Sequence, residues 1–519
     1  MEGKKPARDL WAELRRLALT GTDRAHLAEE AMGALSQRGA GGQGNETEAL
    51  LEGLARLSRR LRAGYVPPAF SGILPAAPAE ATGTLCSPLS SDHLRLILEG
   101  PFEAALPEFV GLLHTNQRRL PPERLPELLD QCREQPELWP SLRSAIGQRG
   151  RWLMTQNPDW RSLEPPADPA AWPALSATET ARALQQFRYR DPDGALTWLR
   201  EAWPGRSWRE KLPLLEALAA GASSQDEAFL EEALDDRRKE VRMAAAALLA
   251  VRPDTELVRR AEAWARQMIR PGSGKGLQVE LPADPSPSMI RDGIPDLART
   301  SGRSLRRNRL MEIVRRVPPE SWEDHLNTDA AGCIEAFATS EYADDLLEAI
   351  TEATYHFQAT AWMLPLFRSW HKRIDRSAWK GIAAQRLMRD FPPEVFEAIC
   401  AEATARNEHL VAEEAPFTQL LLLNAHDWPD SLTFKLVRGF QQWLGDVQQF
   451  YWSTWHYKQL WKVAAYRADP ALFDTLQEGW PQQARQWPAW EKDIERMLRT
   501  WLFRRDMRSA LAGESSTPK

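Results

Sequence analysis

Leu234 to Val251 reads LDDRRKEVRMAAAALLAV, and the fold turns on this stretch. Val241, Ala245, Leu248 and Leu249 recur at i, i+4, i+7 and i+8, the spacing of one apolar helical stripe. Ala245 and Ala246 are small enough for a second helix to approach closely. Asp236 stands where a carboxylate can cap this helix or meet an arginine of the same or the next unit. Just upstream, Leu212, Leu215 and Ala219 predict one further stripe, and Phe229, Ala233 and Leu234 predict another. Three short amphipathic helices in series between Trp208 and Arg270 cannot each enclose a core, so they must stack on one another.

This unit resembles a HEAT repeat, and helical periodicity continues on both sides of it. Leu10, Leu14 and Leu17 mark a helix that Gly21 can end. Tyr342, Leu346, Leu347 and Ile350 mark another, and Trp379, Ile382, Ala383 and Leu387 a third. Leu120, Val317 and Phe391 each precede Pro-Pro-Glu, which reads as a helix start: proline needs no N–H partner in the first turn, and Glu there faces the positive end of the dipole. At roughly 40 residues per helix pair, residues 170–510 hold about eight pairs. The predicted fold class is all-α, an α-solenoid of degenerate HEAT-like helical pairs.

The chain divides into N-terminal helices (1–64), a Pro/Ala/Gly-rich extended segment (65–91), and a helical block (92–270) that contains the HEAT-like unit (208–270). A linker (271–298) follows, in which LQVEL (Leu277 to Leu281) predicts a short strand, then a Trp-rich helical block (299–512) and a disordered tail (513–519). Glycines in GAGGQGN, Gly39 to Asn45, predict a flexible break.

With 519 residues, 43% hydrophobic and 27% charged, the chain has ample material for a core. A net charge of −6 argues against a dedicated nucleic-acid binder, whose affinity comes from excess Lys and Arg. Cys86, Cys132, Cys333 and Cys400 form no CxxC pair, which fits a reducing cytoplasm rather than a disulfide framework. MEGKKPARDLWAELRRLAL lacks the continuous apolar core of a signal peptide, and no run is long enough to predict a membrane span.

Several chemistries fail on context. Gly39, Gly41 and Gly44 satisfy GxGxxG but lie between helices rather than after a strand. Gly272-Ser273-Gly274-Lys275-Gly276 has no Ser or Thr after its Lys, and Ile269 stands where a phosphate loop needs its first glycine; it reads as a hinge between helical blocks. No HExxH or GxSxG is present. The sequence therefore nominates no catalytic, cofactor-binding or metal residue, and a non-enzyme is expected.

Two features stay open. The 22 tryptophans include an aromatic run, Phe440, Trp443, Phe450, Tyr451, Trp452, Trp455, Tyr457 and Trp461, that is either core or an aromatic-lined groove. Arg299 to Arg316 holds seven arginines (299, 303, 306, 307, 309, 315, 316) against one acid, Glu312. Leu310, Ile313, Val314 and Val317 would anchor that helix, leaving the arginines as a solvated face or a partner surface. Arg303, Arg306, Arg307, Arg309, Trp452 and Trp455 are the partner-binding candidates.

ALTGTDR (Ala18 to Arg24), RGRWLMTQNPDW (Arg149 to Trp160), FLEEALDDRRKEVRMAAAALLA (Phe229 to Ala250), RDGI (Arg291 to Ile294) and VPPESWEDHL (Val317 to Leu326) together resemble an uncharacterised bacterial family of unknown function. The resemblance implies genes beside MoxR-type AAA+ ATPases, von Willebrand A-domain proteins and SWIM zinc-finger proteins. It implies no catalytic residue. The expected function is a helical adaptor for a protein partner, with an ATPase or A-domain protein as the implied partner. The rival is an enzyme or nucleic-acid-processing factor that uses residues 299–316 on phosphates.

Overall fold

Capping chemistry sets where many of the helices begin. Ser87, Ser176, Asp191 and Asp329 each accept the N–H three residues on, satisfying a donor that the first turn leaves unpaired. At Ser176 the bond is reciprocal, because Glu179 accepts the Ser176 N–H at 2.9 Å, and these bonds hold its carboxyl below the usual range. The three Pro-Pro-Glu sites all open helices. Pro393–Ala405 and Glu320–Leu326 start as α-helices, while Pro122–Arg124 is a 3-10 turn leading into Leu125–Glu134.

The computed structural model describes residues 7–20, 50–51, 54–55, 57–59, 75–79, 84–161, 163–221, 223–272, 276–282, 284–294, 304–372, 377–405, 415–446 and 455–513. These are predominantly helical. The expected features at Gly21, Gly39 to Asn45 and 514–519 lie outside them. Contacts divide the chain into Met1–Ala76 and Ala77–Lys519. In the first unit, the Ala7–Thr20 helix buries Leu14 and Leu17 as its stripe requires.

In the second unit one two-stranded antiparallel hairpin is described, Ile269–Pro271 against Leu277–Val279. It contains the expected LQV strand, and it changes the reading of the Gly-Ser-Gly-Lys-Gly string. The ends of that string are tied, with the Gly272 N–H donating to Gly276 O at 2.8 Å, so it spans a paired hairpin rather than a free hinge. Near the start of the unit, Thr84 to Cys86 run extended beside Arg119, where Cys86 N–H donates to Arg119 O.

From Ala177 onward, alternate helices stack. One row runs Ala177–Arg188, Trp208–Ala217, Lys239–Leu249, then through Glu256–Met268 to Leu305–Val314, Ala343–His356, Ile382–Arg389, Pro416–Leu423, Trp455–Arg467 and Trp487–Ala512. A second row takes intervening helices: Ala330–Thr339, Thr360–Lys372, Pro393–Ala405 and Asp430–Asp446. Of the predicted stripe, Val241, Ala245 and Leu249 are buried and Leu248 is half-buried against the same core. Two other stripes are rotated from their expected faces. Trp208–Ala217 buries Leu214 and Leu215, with Leu218 beyond its end, while Ala219 is exposed. Ile382–Arg389 buries Ala384, Leu387 and Met388 and leaves Ile382 in solvent.

Apolar side chains gather in three cores that do not follow the expected domain limits. One runs from Trp172 to Leu257 and another from Ala261 to Trp501. The third spans Cys86 to Leu163 and is completed by Phe503, Met507 and Leu511 from the far end of the chain. Trp487–Ala512 therefore serves two cores along its length. Its Phe503 ring stacks on Phe102 at 3.9 Å.

A buried ion pair ties the helices between Ala177 and Leu249 together. The Arg188 and Asp226 side chains are wholly buried, with Arg188 Nη2 donating to Asp226 Oδ2 at 2.6 Å and Nε to Ala220 O at 2.6 Å. Arg252 Nη1 donates to the same carboxylate at 3.1 Å. Asp236, the acid singled out from sequence, does not cap the following helix; it accepts from Lys211 of Trp208–Ala217, within the same unit, at 2.8 Å and from the Arg238 N–H.

Two substitutions test this packing. Ala245→Leu is expected to overpack the contact with Trp208–Ala217 and to cost about 1–3 kcal/mol in urea unfolding. Asp226→Ala strands a buried guanidinium and should cost about 3–5 kcal/mol, with the double change Arg188→Met, Asp226→Leu recovering part of that loss. Wild-type midpoints for either single variant would contradict the assignment.

Candidate functional site

The arginine segment folds as expected but spends most of its charge internally. Ser304 caps Leu305–Val314, and Leu310, Ile313, Val314 and Val317 are buried. Arg309 lies inside, only 3% exposed, with Nη1 3.9 Å from Asp284. Arg315 and Arg316 both pair with Glu312, and Arg315 reaches Glu352 at 3.4 Å. Arg307 is exposed, yet it lies over the Tyr342 ring at 5.2 Å and 3.8 Å from Asp345, a largely buried acid. Arg306 is exposed in the first turn. Arg303, like Arg299, lies outside the described residues. Of Arg303, Arg306 and Arg307, spaced i, i+3 and i+4, Arg307 meets the Asp345 carboxylate of another helix.

The described part of the aromatic run is core. Phe440 and Trp461 are buried, their rings 4.9 Å apart, and Phe440 meets Trp490 at 5.0 Å and Tyr457 at 4.9 Å. Trp452 lies outside the described residues; Trp455 begins a helix, and its side chain is not described. Elsewhere, Trp172, Trp322, Trp362, Trp370 and Trp501 are fully buried, as befits knobs between stacked helices.

Motif residues that carried the resemblance act as struts. In RDGI, Arg291 donates to Glu231 and Asp235, and Asp292 accepts from Arg260 at 2.6 Å. Gly293 has φ +86°, a left-handed conformation that suits glycine, and Ile294 is buried. The Arg291 guanidinium holds the Asp235 carboxyl below its usual range. In RGRWLMTQNPDW, the helix ends before Asn157, and Trp160 packs the corner with Nε1 donating to Asp130 at 2.8 Å. In VPPESWEDHL, Trp322 is buried and Glu323 accepts from Trp362 Nε1 at 2.8 Å.

All four thiols are buried and free, and burial pushes Cys132, Cys333 and Cys400 up to about 12 and Cys86 up to about 11. None is poised as a thiolate. Among the described residues no three His, Cys, Asp or Glu side chains gather as a metal site requires, and no helix is long and apolar enough to cross a membrane.

One cavity, about 590 Å³, combines apolar walls with charge. It lies where Leu106–Thr115 of the Cys86–Leu163 core meets Pro416–Leu423, Trp455–Arg467 and Trp487–Ala512. Arg504, buried, donates to Glu108 at 2.6 Å and to the carbonyls of Ala465 and Ala468 at 3.0 and 2.7 Å. Arg508 donates to Glu108 at 2.6 Å and to Asp469 at 3.2 Å. Arg467 is half-buried, and its guanidinium has no hydrogen-bonded acceptor among the described residues. Burial pushes its pKa below the ordinary arginine value, with Asp427 opposing that shift. Lys462 is exposed, and Leu422, Leu423 and Val463 supply half-buried apolar wall. Nothing in the local sequence pattern signals this site, because its walls come from segments nearly four hundred residues apart.

The model of the family of unknown function DUF5691 matches residues 13–511, and the chain belongs to that family. No curated protein matches it.

Charge reversal separates the two exposed arginines. Arg307→Glu sets a carboxylate against Asp345 and should cost about 1–2 kcal/mol, whereas Arg306→Glu should stay within about 0.5 kcal/mol of wild type. Thermal melting of both variants checks this; equal melting would remove Arg307 from the packed structure.

Proposed function

We propose that this family member is a non-catalytic helical scaffold or adaptor, an α-solenoid of degenerate HEAT-like pairs that holds a protein partner on its outer surface. One observation carries the reading: helices stack in one row from Ala177 to Ala512, with a second row beside it from Ala330 to Asp446. In such an arrangement each pair buries its sides against its neighbours and keeps one face outward, which creates an extended surface suited to a large partner.

The partner class is the one implied by the resemblance, a MoxR-type AAA+ ATPase or a von Willebrand A-domain protein. Arg306 is the contact residue proposed on this surface. It lies at the N-terminal end of its helix, where a cation is disfavoured by about 0.3–1 kcal/mol, so helix stability does not account for it. Rim charges of this kind act chiefly on encounter with an oppositely charged partner.

Binding of the purified full chain to each purified neighbour-encoded protein tests the proposal by analytical ultracentrifugation. The expected result is a complex with one of them, weakened roughly 3- to 10-fold by Arg306→Glu without change in melting. A well-folded chain that associates with neither protein would overturn it.

A further inference from the structure

We propose that the cavity at the Glu108–Arg504 junction binds a small organic anion, its carboxylate or phosphate on Arg467 and Lys462 and its apolar part over Leu422, Leu423 and Val463. This goes beyond the adaptor reading and does not depend on it.

The charge distribution drives the inference. Four bases line the cavity, Lys462, Arg467, Arg504 and Arg508, against two acids, Glu108 and Asp427. Glu108 is already taken by Arg504 and Arg508, and Arg508 also meets Asp469. Arg504 spends its donors on Glu108 and on the carbonyls of Ala465 and Ala468. Trp428 N–H occupies the carbonyl of Arg467 itself. Those acceptors are used by other groups, while Asp427, the second acid of the cavity, acts on the half-buried Arg467 guanidinium through its charge and without a hydrogen bond.

A guanidinium presents a rigid fork of N–H donors that matches the two oxygens of a carboxylate or phosphate. The half-buried Arg467 nitrogens keep contact with solvent, from which an oxyanion can reach them. Lys462, five residues earlier on the same helix, also lines the cavity and adds a second, exposed positive charge. A volume of about 590 Å³ falls in the small-molecule range of about 300–1,000 Å³ rather than that of a protein surface. Leucine and valine on the wall call for an organic body behind the anionic group.

Isothermal titration calorimetry on the full chain tests this with three probes: hexanoate, hexanamide and inorganic phosphate. Hexanoate should bind at one site and hexanamide should not, because only the first carries the charge. Arg467→Met should weaken hexanoate about tenfold or more, and Arg467→Lys less, since the ammonium keeps charge but loses the fork. Lys462→Met, at an exposed position, should weaken it a few-fold and supplies the test if Arg467→Met fails to fold. Tighter binding of phosphate than of hexanoate, lost in the same variants, would support the site and assign its ligand as a phosphate. Equal titration by hexanoate and hexanamide, no binding of either anion, or wild-type affinity in the folded variants would each overturn the proposal.

Discussion

One carboxylate, Glu108, organises the junction on which the second unit depends. It accepts hydrogen bonds from Arg504 and Arg508, which lie 396 and 400 residues further along the chain. Because Arg504 also binds the carbonyls of Ala465 and Ala468, a single guanidinium joins three helices. Such a pair adds little net stability, since desolvation offsets most of the attraction. What it adds is register. A helix of 26 residues with apolar side chains along two cores could slide by a turn at modest loss of burial, but Arg504 and the Phe503–Phe102 stack fit one position only.

The same device recurs along the rows. Arg188 with Asp226 and Arg252, Arg260 with Asp292, and Arg291 with Glu231 and Asp235 each bridge helices of different pairs. Apolar contact between stacked helices is tolerant of small rotations; a charged pair in a dry or half-dry site is not. The motifs that mark the family fall largely on these joints and on buried tryptophans beside them.

How much was legible in the sequence depended on distance along the chain. The stripe Val241, Ala245, Leu248 and Leu249 and the Pro-Pro-Glu helix starts are local patterns, and both stand in the structure, with Leu248 half-buried. Ala219 and Ile382 were assigned to buried faces but are exposed, because a slip of one or two residues in a stripe turns it by about 100° per residue. The arginines at 307 and 309 looked free since their acids, Asp345 and Asp284, come from other elements. The tryptophan count left core and groove open, and only the meeting of Phe440, Trp461 and Trp490 made the described part of that run a core. The cavity was invisible for the same reason: Glu108 and Arg467 have no pattern in common until the chain has folded.

The long-range closure also bears on synthesis. On the ribosome, the helices from Pro88 to Arg161 emerge long before Phe503, Met507 and Leu511, the side chains that complete their core. At about 5–20 residues per second, some 340 residues must still be added, which takes roughly 20–70 s. During that interval the nascent chain displays an apolar surface with no native cover. Translation speed through the rows therefore sets how long the core from Cys86 to Leu163 waits for its last three side chains.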